Sequence, residues 1–504
     1  MSSLPPLVRA LSHARAYPHA PARVEVLETH ISWVLLTGGL AYKVKKPVSL
    51  GFADFSTLER RRWFCEEELR LNRRLATDLY LAVVPISGTE ASPEVEGRGE
   101  PIEWAVKMRE FPQEARGDRA IARGALSKEA IDRIALDVAR FHAAAAVAPP
   151  DSPHGTPERV MSQVDDVCAR LLPRVAGSPL AGEISPLRSR AREEGERLRG
   201  VFAARKRSGF VRECHGDLHL GNVALLPSGP VVFDALEFDE SLRFTDVMSD
   251  AAFLAMDLSG HGRADLSRRF LDRYLSAGGD YAGLAVHRYH AAYRALVRAL
   301  VASIRSEQEG ELAGAFVARY AAVARRALES APIELAIMHG LSGSGKSTLS
   351  EEIVEKEGAI RIRSDVERKR LFGLGPTART DDGLDRGIYS REATAKTFDR
   401  LALLAETILG AGFTAVVDAA FLRRAERDRF RALAERTGAR FSIVHAEAPI
   451  DVLRERIRAR AAAARDASDA SLAVLERQRE TAEPLAEDEK RYQVPFPPDD
   501  PAEA

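Results

Sequence analysis

Cysteine is nearly missing: Cys65, Cys168 and Cys214 are the three among 504 residues, far apart and without a Cys-x-x-Cys pair. That spacing excludes a disulfide framework and suggests no zinc site. A charge excess is missing too, because 73 Lys and Arg meet 74 Asp and Glu. Nothing in the bulk charge draws the chain to nucleic acid or membrane, so a polyanion site would need a local basic groove. No uninterrupted apolar run is long enough to span a bilayer, and the opening Met-Ser-Ser-Leu-Pro-Pro lacks the basic-then-apolar order of a signal peptide. The expectation is a cytoplasmic protein with no membrane partner. A Gly/Ser linker is absent as well; the clearest break is Ala331-Pro332. The length leads us to expect roughly two to four domains, each able to bury its own core.

Against these absences stands Gly340-Leu-Ser-Gly-Ser-Gly-Lys-Ser347. An apolar run, Ile333 to Met338, precedes it, and a helical pattern, Thr348 to Lys356, follows. Strand, Gly-x-x-x-x-Gly-Lys-Ser and helix together define a phosphate-binding loop. Gly340, Gly343 and Gly345 let consecutive N–H groups curl inward, with Ser342, Ser344 and Thr348 completing the nucleotide-binding stretch. The helix N-terminus adds partial positive charge. Lys346 would reach the β- and γ-phosphates, and the Ser347 hydroxyl would ligate Mg²⁺.

Beyond the loop, strands at 359–362, 413–417 and 441–444 alternate with helices at 391–409, 423–437 and 450–464, the pattern of a parallel α/β sheet. One strand ends Val-Val-Asp418-Ala419. Asp418 is a candidate metal residue. A hydrolytic motor would place Glu after it to activate water, and alanine cannot do so. Arg454, Arg456 and Arg460 share one helix at spacings suited to a lid over a transferring phosphate.

The first half reads differently. Strands at 24–27, 33–36 and 41–44 precede a helix capped by Thr57, then strands at 81–86 and 104–108 separated by a polar loop, and helices from Ser127 onward. A β-rich lobe followed by a helical lobe is the order of two-lobed kinases. His215-Gly-Asp217-Leu-His-Leu-Gly-Asn222, a hairpin, then an apolar strand ending at Asp234 is the layout of protein-kinase-like phosphotransferases. Lys43 and Lys45 lie two apart in the third strand and share a face. A glutamate of the next helix would pair with the nucleotide lysine; counting back from Leu75 suggests Glu68, with Glu67 next. The usual Gly-rich loop is missing, and Thr29-His-Ile-Ser32 takes its place.

His-Gly-Asp-x-x-x-x-Asn resembles the aminoglycoside phosphotransferase branch of that superfamily. The resemblance implies Asp217 as catalytic base, Asn222 and Asp234 as metal ligands, Asp246 and Asp250 as structural fasteners, and it favours Lys43 over Lys45. In the second half, Arg363-Ser-Asp365 followed by Arg368 resembles polynucleotide kinases and other P-loop hydroxyl kinases. There Asp365 would take the acceptor's proton and Arg368 would bind acceptor anions. The whole is similar to bacterial two-part aminoglycoside phosphotransferase/ATP-binding fusions.

The expectation is therefore an α+β protein-kinase-like domain over 1–330, with lobes meeting near 110, then an α/β P-loop domain over 331–504. The implied activity is ATP-dependent phosphotransfer with Mg²⁺, the C-terminal module using ATP or GTP to phosphorylate a hydroxyl. One alternative is a nucleotide-gated regulator with a non-catalytic N-terminal half. The other is a nucleic-acid end kinase, supported locally by Arg361, Arg363, Arg368, Lys369 and Arg370. Asp469 reads as a helix cap first and a functional candidate second, and the tail from Val494 as extended or disordered.

Overall fold

The computed structural model describes residues 4–49, 54–309, 312–376, 378, 387–463 and 471–494. The chain forms two compact units, one from residues 1–163 with 202–257, the other from 164–201 with 258–504.

In the first unit, β1 (Glu25–Glu28), β2 (Ser32–Leu36), β3 (Leu40–Lys45), β4 (Tyr80–Thr89), β5 (Ser92–Val95) and β6 (Glu103–Arg109) form one antiparallel sheet. Its order is β1-β2-β3-β6-β4-β5. Gly38 turns between β2 and β3 at φ 85°, a conformation that glycine adopts without strain. Alternation sorts β3 into two faces: Tyr42 and Val44 join Trp33, Leu35 and Ile86 in one core, whereas Ala41 packs with Cys65 of the helix Leu58–Asn72 on the other. Lys43 and Lys45 therefore share the helix side. Thr57 caps that helix by accepting from the Arg60 N–H.

β5 occupies part of the stretch expected to be a polar loop. Its Pro93 and Val95 are buried between exposed neighbours, and the edge position tolerates a proline that cannot donate to a ladder. Two three-residue strands, β7 (Val211–Glu213) and its partner β10 (Phe244–Asp246), were too short to show a period; β8 (Val223–Leu226) and β9 (Gly229–Val232) form the expected hairpin.

The second unit holds a parallel sheet of β11 (Glu334–His339), β12 (Ile360–Arg363), β13 (Ala415–Asp418), β14 (Arg440–His445) and β15 (Gln493–Val494). The order is β12-β13-β11-β14-β15, so the loop-bearing β11 is central. Val494 thus begins as a strand residue; 495–504 and Asp469 lie outside the described residues. The unit also includes the helix Ala264–Gly278, which packs on the P-loop helix Lys346–Glu357. Among the described residues, no helix is long and apolar enough to cross a membrane. The fold is a protein-kinase-like α+β part followed by a parallel-sheet P-loop part.

Candidate active sites

In the first unit, β3, the helix Leu58–Asn72 and the segment after β9 bring charged groups together. Lys43 Nζ lies 2.8 Å from Glu68 Oε1 and 2.7 Å from Asp234 Oδ1. Burial disfavours the Lys43 ammonium, yet Asp234 and Glu68 hold its pKa well above the ordinary value. Lys45 is fully buried and bridges the other Glu68 oxygen to Glu237. Two ammonium groups thus face three carboxylates. Burial holds the Glu237 carboxyl above its usual range despite Lys45. The two lysines that alternation could not separate have different places: Lys43 meets the Asp234 carboxylate, and Lys45 is the buried tie behind it.

Asp234 sits at φ 63°, uncommon for a residue other than glycine, and its N–H donates to Tyr80 Oη at 3.2 Å. The next N–H, of Ala235, donates to Asn72 Oδ1 at 2.8 Å, while Asn72 Nδ2 donates to the Glu68 carbonyl at 2.9 Å. Asn72 stands one turn after Glu68, a helical signal that the sequence reading missed.

The catalytic-type loop is braced from beneath. Asp250 accepts from the N–H groups of His215 at 2.9 Å and Gly216 at 3.0 Å, and from His142 Nε2 at 3.1 Å. Asp257, seven residues on along the same helix face, accepts from the Leu220 N–H at 2.9 Å. Asp246 pairs with Arg205. His215 Nε2 donates to the Phe233 carbonyl, and burial holds its imidazole pKa below the ordinary value. Asn222 Nδ2 donates to the Asp217 carbonyl at 2.9 Å and to its Oδ2 at 3.1 Å, which aims the Asn222 amide oxygen elsewhere. His142, Cys214 and Asp250 lie close enough to hold a metal, but the Asp250 oxygens already accept three hydrogen bonds and the Cys214 thiol donates to the Thr245 carbonyl. That cluster is a hydrogen-bonded brace.

In the second unit, Gly340, Gly343 and Gly345 take φ values of 141°, 84° and 101°. A Cβ on Gly340 would lie 2.2 Å from the Ala446 carbonyl oxygen, so only glycine fits. Ser344 is buried and its Oγ has no hydrogen-bond partner among the described residues, as in a cradle shaped for an anion. Lys346 Nζ folds back onto the Gly340 and Leu341 carbonyls at 2.8 and 2.7 Å. The Thr348 N–H donates to Gly345 O, opening the helix. The Ser342 N–H donates to Gln478 Oε1 at 2.8 Å; Gln478 had no signal in the sequence.

Asp418 ends β13 in register with Arg363, whose Nε is 3.7 Å from its Oδ2. Asp365 opens the helix Ser364–Leu371. Arg368 is buried over the Tyr389 ring and donates to the Ile388 carbonyl at 2.8 Å. Of the arginines expected to form a lid, Arg456 Nη1 reaches the Gly343 carbonyl at 3.2 Å, Arg454 turns to Glu476, and the Arg460 side chain lies outside the described residues. The basic cluster loses its support for nucleic acid. Arg361 and Lys369 are fully buried, and Arg370 pairs with Glu367.

Hydroxyl, amide and carboxylate oxygens are the hard donors that Mg²⁺ prefers, so Ser347 with Asp418, and Asn222 with Asp234, are chemically suited to it.

These two arrangements define a chain with two kinase-like modules, one of the phosphotransferase kind and one built on a P-loop. The Phosphotransferase enzyme family matches residues 59–290, and the AAA domain family matches 335–485. The chain belongs to the same family as a protein of Mycobacterium tuberculosis described as uncharacterized protein Rv2004c. The two are 34% identical over 453 residues, 90% of this chain and 89% of that one. Among solved structures, a choline/ethanolamine kinase family protein from Mesorhizobium loti aligns over 65% of this chain and 96% of its own, at 14% identity and TM-score 0.39. A gluconokinase from Sinorhizobium meliloti aligns over 33% and 82%, at 26% identity and TM-score 0.22.

Proposed function

We propose that the protein is an ATP-dependent phosphotransferase whose C-terminal module transfers the γ-phosphoryl group to a hydroxyl acceptor. The observation that carries this reading is the glycine-built cradle over Ser344, beside a strand end that reads Asp418-Ala419. The cradle suits a nucleotide's phosphates, and the alanine leaves no carboxylate there to activate water. Lys346 releases its two loop carbonyls to meet the β- and γ-phosphates, Asp365 takes the acceptor's proton, Arg368 binds acceptor anions, and Arg456 offsets developing charge. Ser347 and Asp418 would hold Mg²⁺, which would supply neutralisation of phosphate charge.

In the N-terminal module, Asp217 is the base, Lys43 with Glu68 orders the nucleotide, and Asn222 with Asp234 provides the metal ligands. The Lys43–Glu68–Asp234 contacts favour an active module over a non-catalytic regulator, despite the missing Gly-rich loop. The burial of Arg361 and Lys369 disfavours a nucleic-acid end as acceptor.

The test is ATP turnover by the full chain over a panel of hydroxyl metabolites and oligonucleotides, with Lys346→Ala and Asp217→Ala made singly. Each variant is expected to remove one acceptor's phosphorylation and spare the other's. Loss of all transfer in Lys346→Ala with no effect of Asp217→Ala makes the first module non-catalytic. No loss in either variant ends the dual-kinase reading.

A further inference from the structure

The helix Ala264–Gly278 lies within the stretch 59–290 that matches the phosphotransferase family, yet its compact unit is the one that contains the P-loop. Arg268 Nη1 donates to the Glu355 carbonyl at 2.8 Å and to the Lys356 carbonyl, closing the end of the P-loop helix. Arg269 pairs with Glu351 and Glu355 of that helix, and Arg273 Nη2 lies 2.6 Å from Glu351 Oε2. Burial works against the Glu351 carboxylate, but Arg273, Arg361 and Arg269 hold its pKa down at about 2. Asp272 faces β12 instead, where its two oxygens accept from Arg361 Nε at 3.2 Å and Nη2 at 2.7 Å.

Arg361 carries these contacts to the donor loop. It is 2% exposed, and its remaining nitrogen, Nη1, donates to the Ser347 carbonyl at 3.1 Å and to Ser350 Oγ at 3.4 Å. Tyr281 Oη donates to the Arg361 carbonyl at 3.3 Å. A guanidinium forked onto a buried carboxylate has one orientation, so its third contact has a fixed direction. The residue it grips is the one whose hydroxyl is assigned to the metal.

We propose that Asp272 and Arg361 are positioning residues for the P-loop donor site, setting Ser347 for metal-bound nucleotide. The second module's donor site is thereby built partly from a helix of the first module's sequence. This rests on the reading of Gly340–Ser347 as the donor site. The distinguishing property is metal dependence, since partners that orient a metal ligand act on metal affinity.

The test uses the full chain carrying Lys43→Ala, so that the first site does not contribute, and titrates Mg²⁺ against binding of a fluorescent ATP analogue. Asp272→Asn and Arg361→Lys are each expected to raise the half-saturating Mg²⁺ concentration roughly tenfold, with metal-free nucleotide affinity changed less than about twofold. Unchanged Mg²⁺ dependence in either folded variant overturns the proposal. Should both fail to fold, Arg273→Gln removes one outer arm. A rise of about threefold is then expected, and no rise overturns the proposal. Lys346→Ala in the same background separates the two layers. If it leaves ATP binding intact, the donor-site reading fails and this inference falls with it. If it abolishes binding while the positioning variants leave Mg²⁺ dependence unmoved, only the inference fails.

Discussion

Lys43 and Lys45 share one glutamate, and replacing each by methionine should have opposite consequences. Methionine keeps most of the length and apolar volume of lysine and removes the charge. In Lys45→Met, the Glu68 and Glu237 carboxylates lose the ammonium between them in a place where Lys45 and Glu68 are fully buried. Breaking a buried pair by deleting one partner costs about 3–5 kcal/mol, because the survivor is left uncompensated. For a unit of this size that is a fall of about 6–20 °C in melting temperature. In Lys43→Met, Lys45 still holds Glu68, and Asp234 keeps 41% of its side-chain surface exposed, so water can solvate its carboxylate. That variant should melt within a few degrees of the parent and lose nucleotide binding at the first site. The assay pairs a thermal melt with nucleotide binding in a Lys346→Ala background. Adding Glu237→Gln to Lys45→Met should recover part of the lost stability, since Lys43 still holds Glu68 and the substitution removes the stranded charge. A Lys45→Met chain that melts normally but no longer binds nucleotide would refute the assignment and exchange the two lysines' roles.

Three further outcomes are expected. Gly340→Ala should abolish nucleotide binding at the P-loop, because the added Cβ meets the Ala446 carbonyl at 2.2 Å and the backbone sits at φ 141°; calorimetric titration checks it. Gln478→Ala frees the Ser342 N–H and should tighten nucleotide binding there two- to tenfold, about the net worth of one hydrogen bond; weaker binding would show that Gln478 serves the bound state instead. His339, beside the loop and 2.7 Å from His445, has its pKa lowered to about 4, chiefly by burial. The unfolded chain takes up that proton near pH 6.5 and the folded chain does not. Stability is therefore lost as pH falls from 6.5 toward 4, by about 2 kcal/mol at pH 5, and denaturant midpoints of His339→Asn should show a shallower pH slope.

The parts legible in the sequence are those written in short spans. The strand–loop–helix around Gly340, the spacing from Asp217 to Asn222, and the period of β3 each lie within a dozen residues, so local geometry fixes them. Glu68 could be approached by counting along one helix, but the choice between Lys43 and Lys45 depended on Asp234 and Glu237, about 190 residues away. Arg361 was misread for the same reason. Five basic residues within ten positions look like a groove until Asp272, 89 positions before the first of them, is seen to neutralise it. Gln478 is invisible in sequence because a lone glutamine on a polar helix carries no pattern. β5 was missed because its proline argues against a strand everywhere except at an edge.

The Asp272–Arg361 fork also bears on how such a chain can be inherited. Its two ends fall in stretches that match different families, 59–290 and 335–485, whereas the compact unit contains both. A gene split at Ala331-Pro332 would strand an arginine in the interior of one product and its counter-ion in the other. Recombination between relatives at that seam would succeed only when both parents carry matching partners. Once the pair had formed, separating the halves again would carry a penalty that joining them never did, and the fusion would persist for reasons of charge as well as of function.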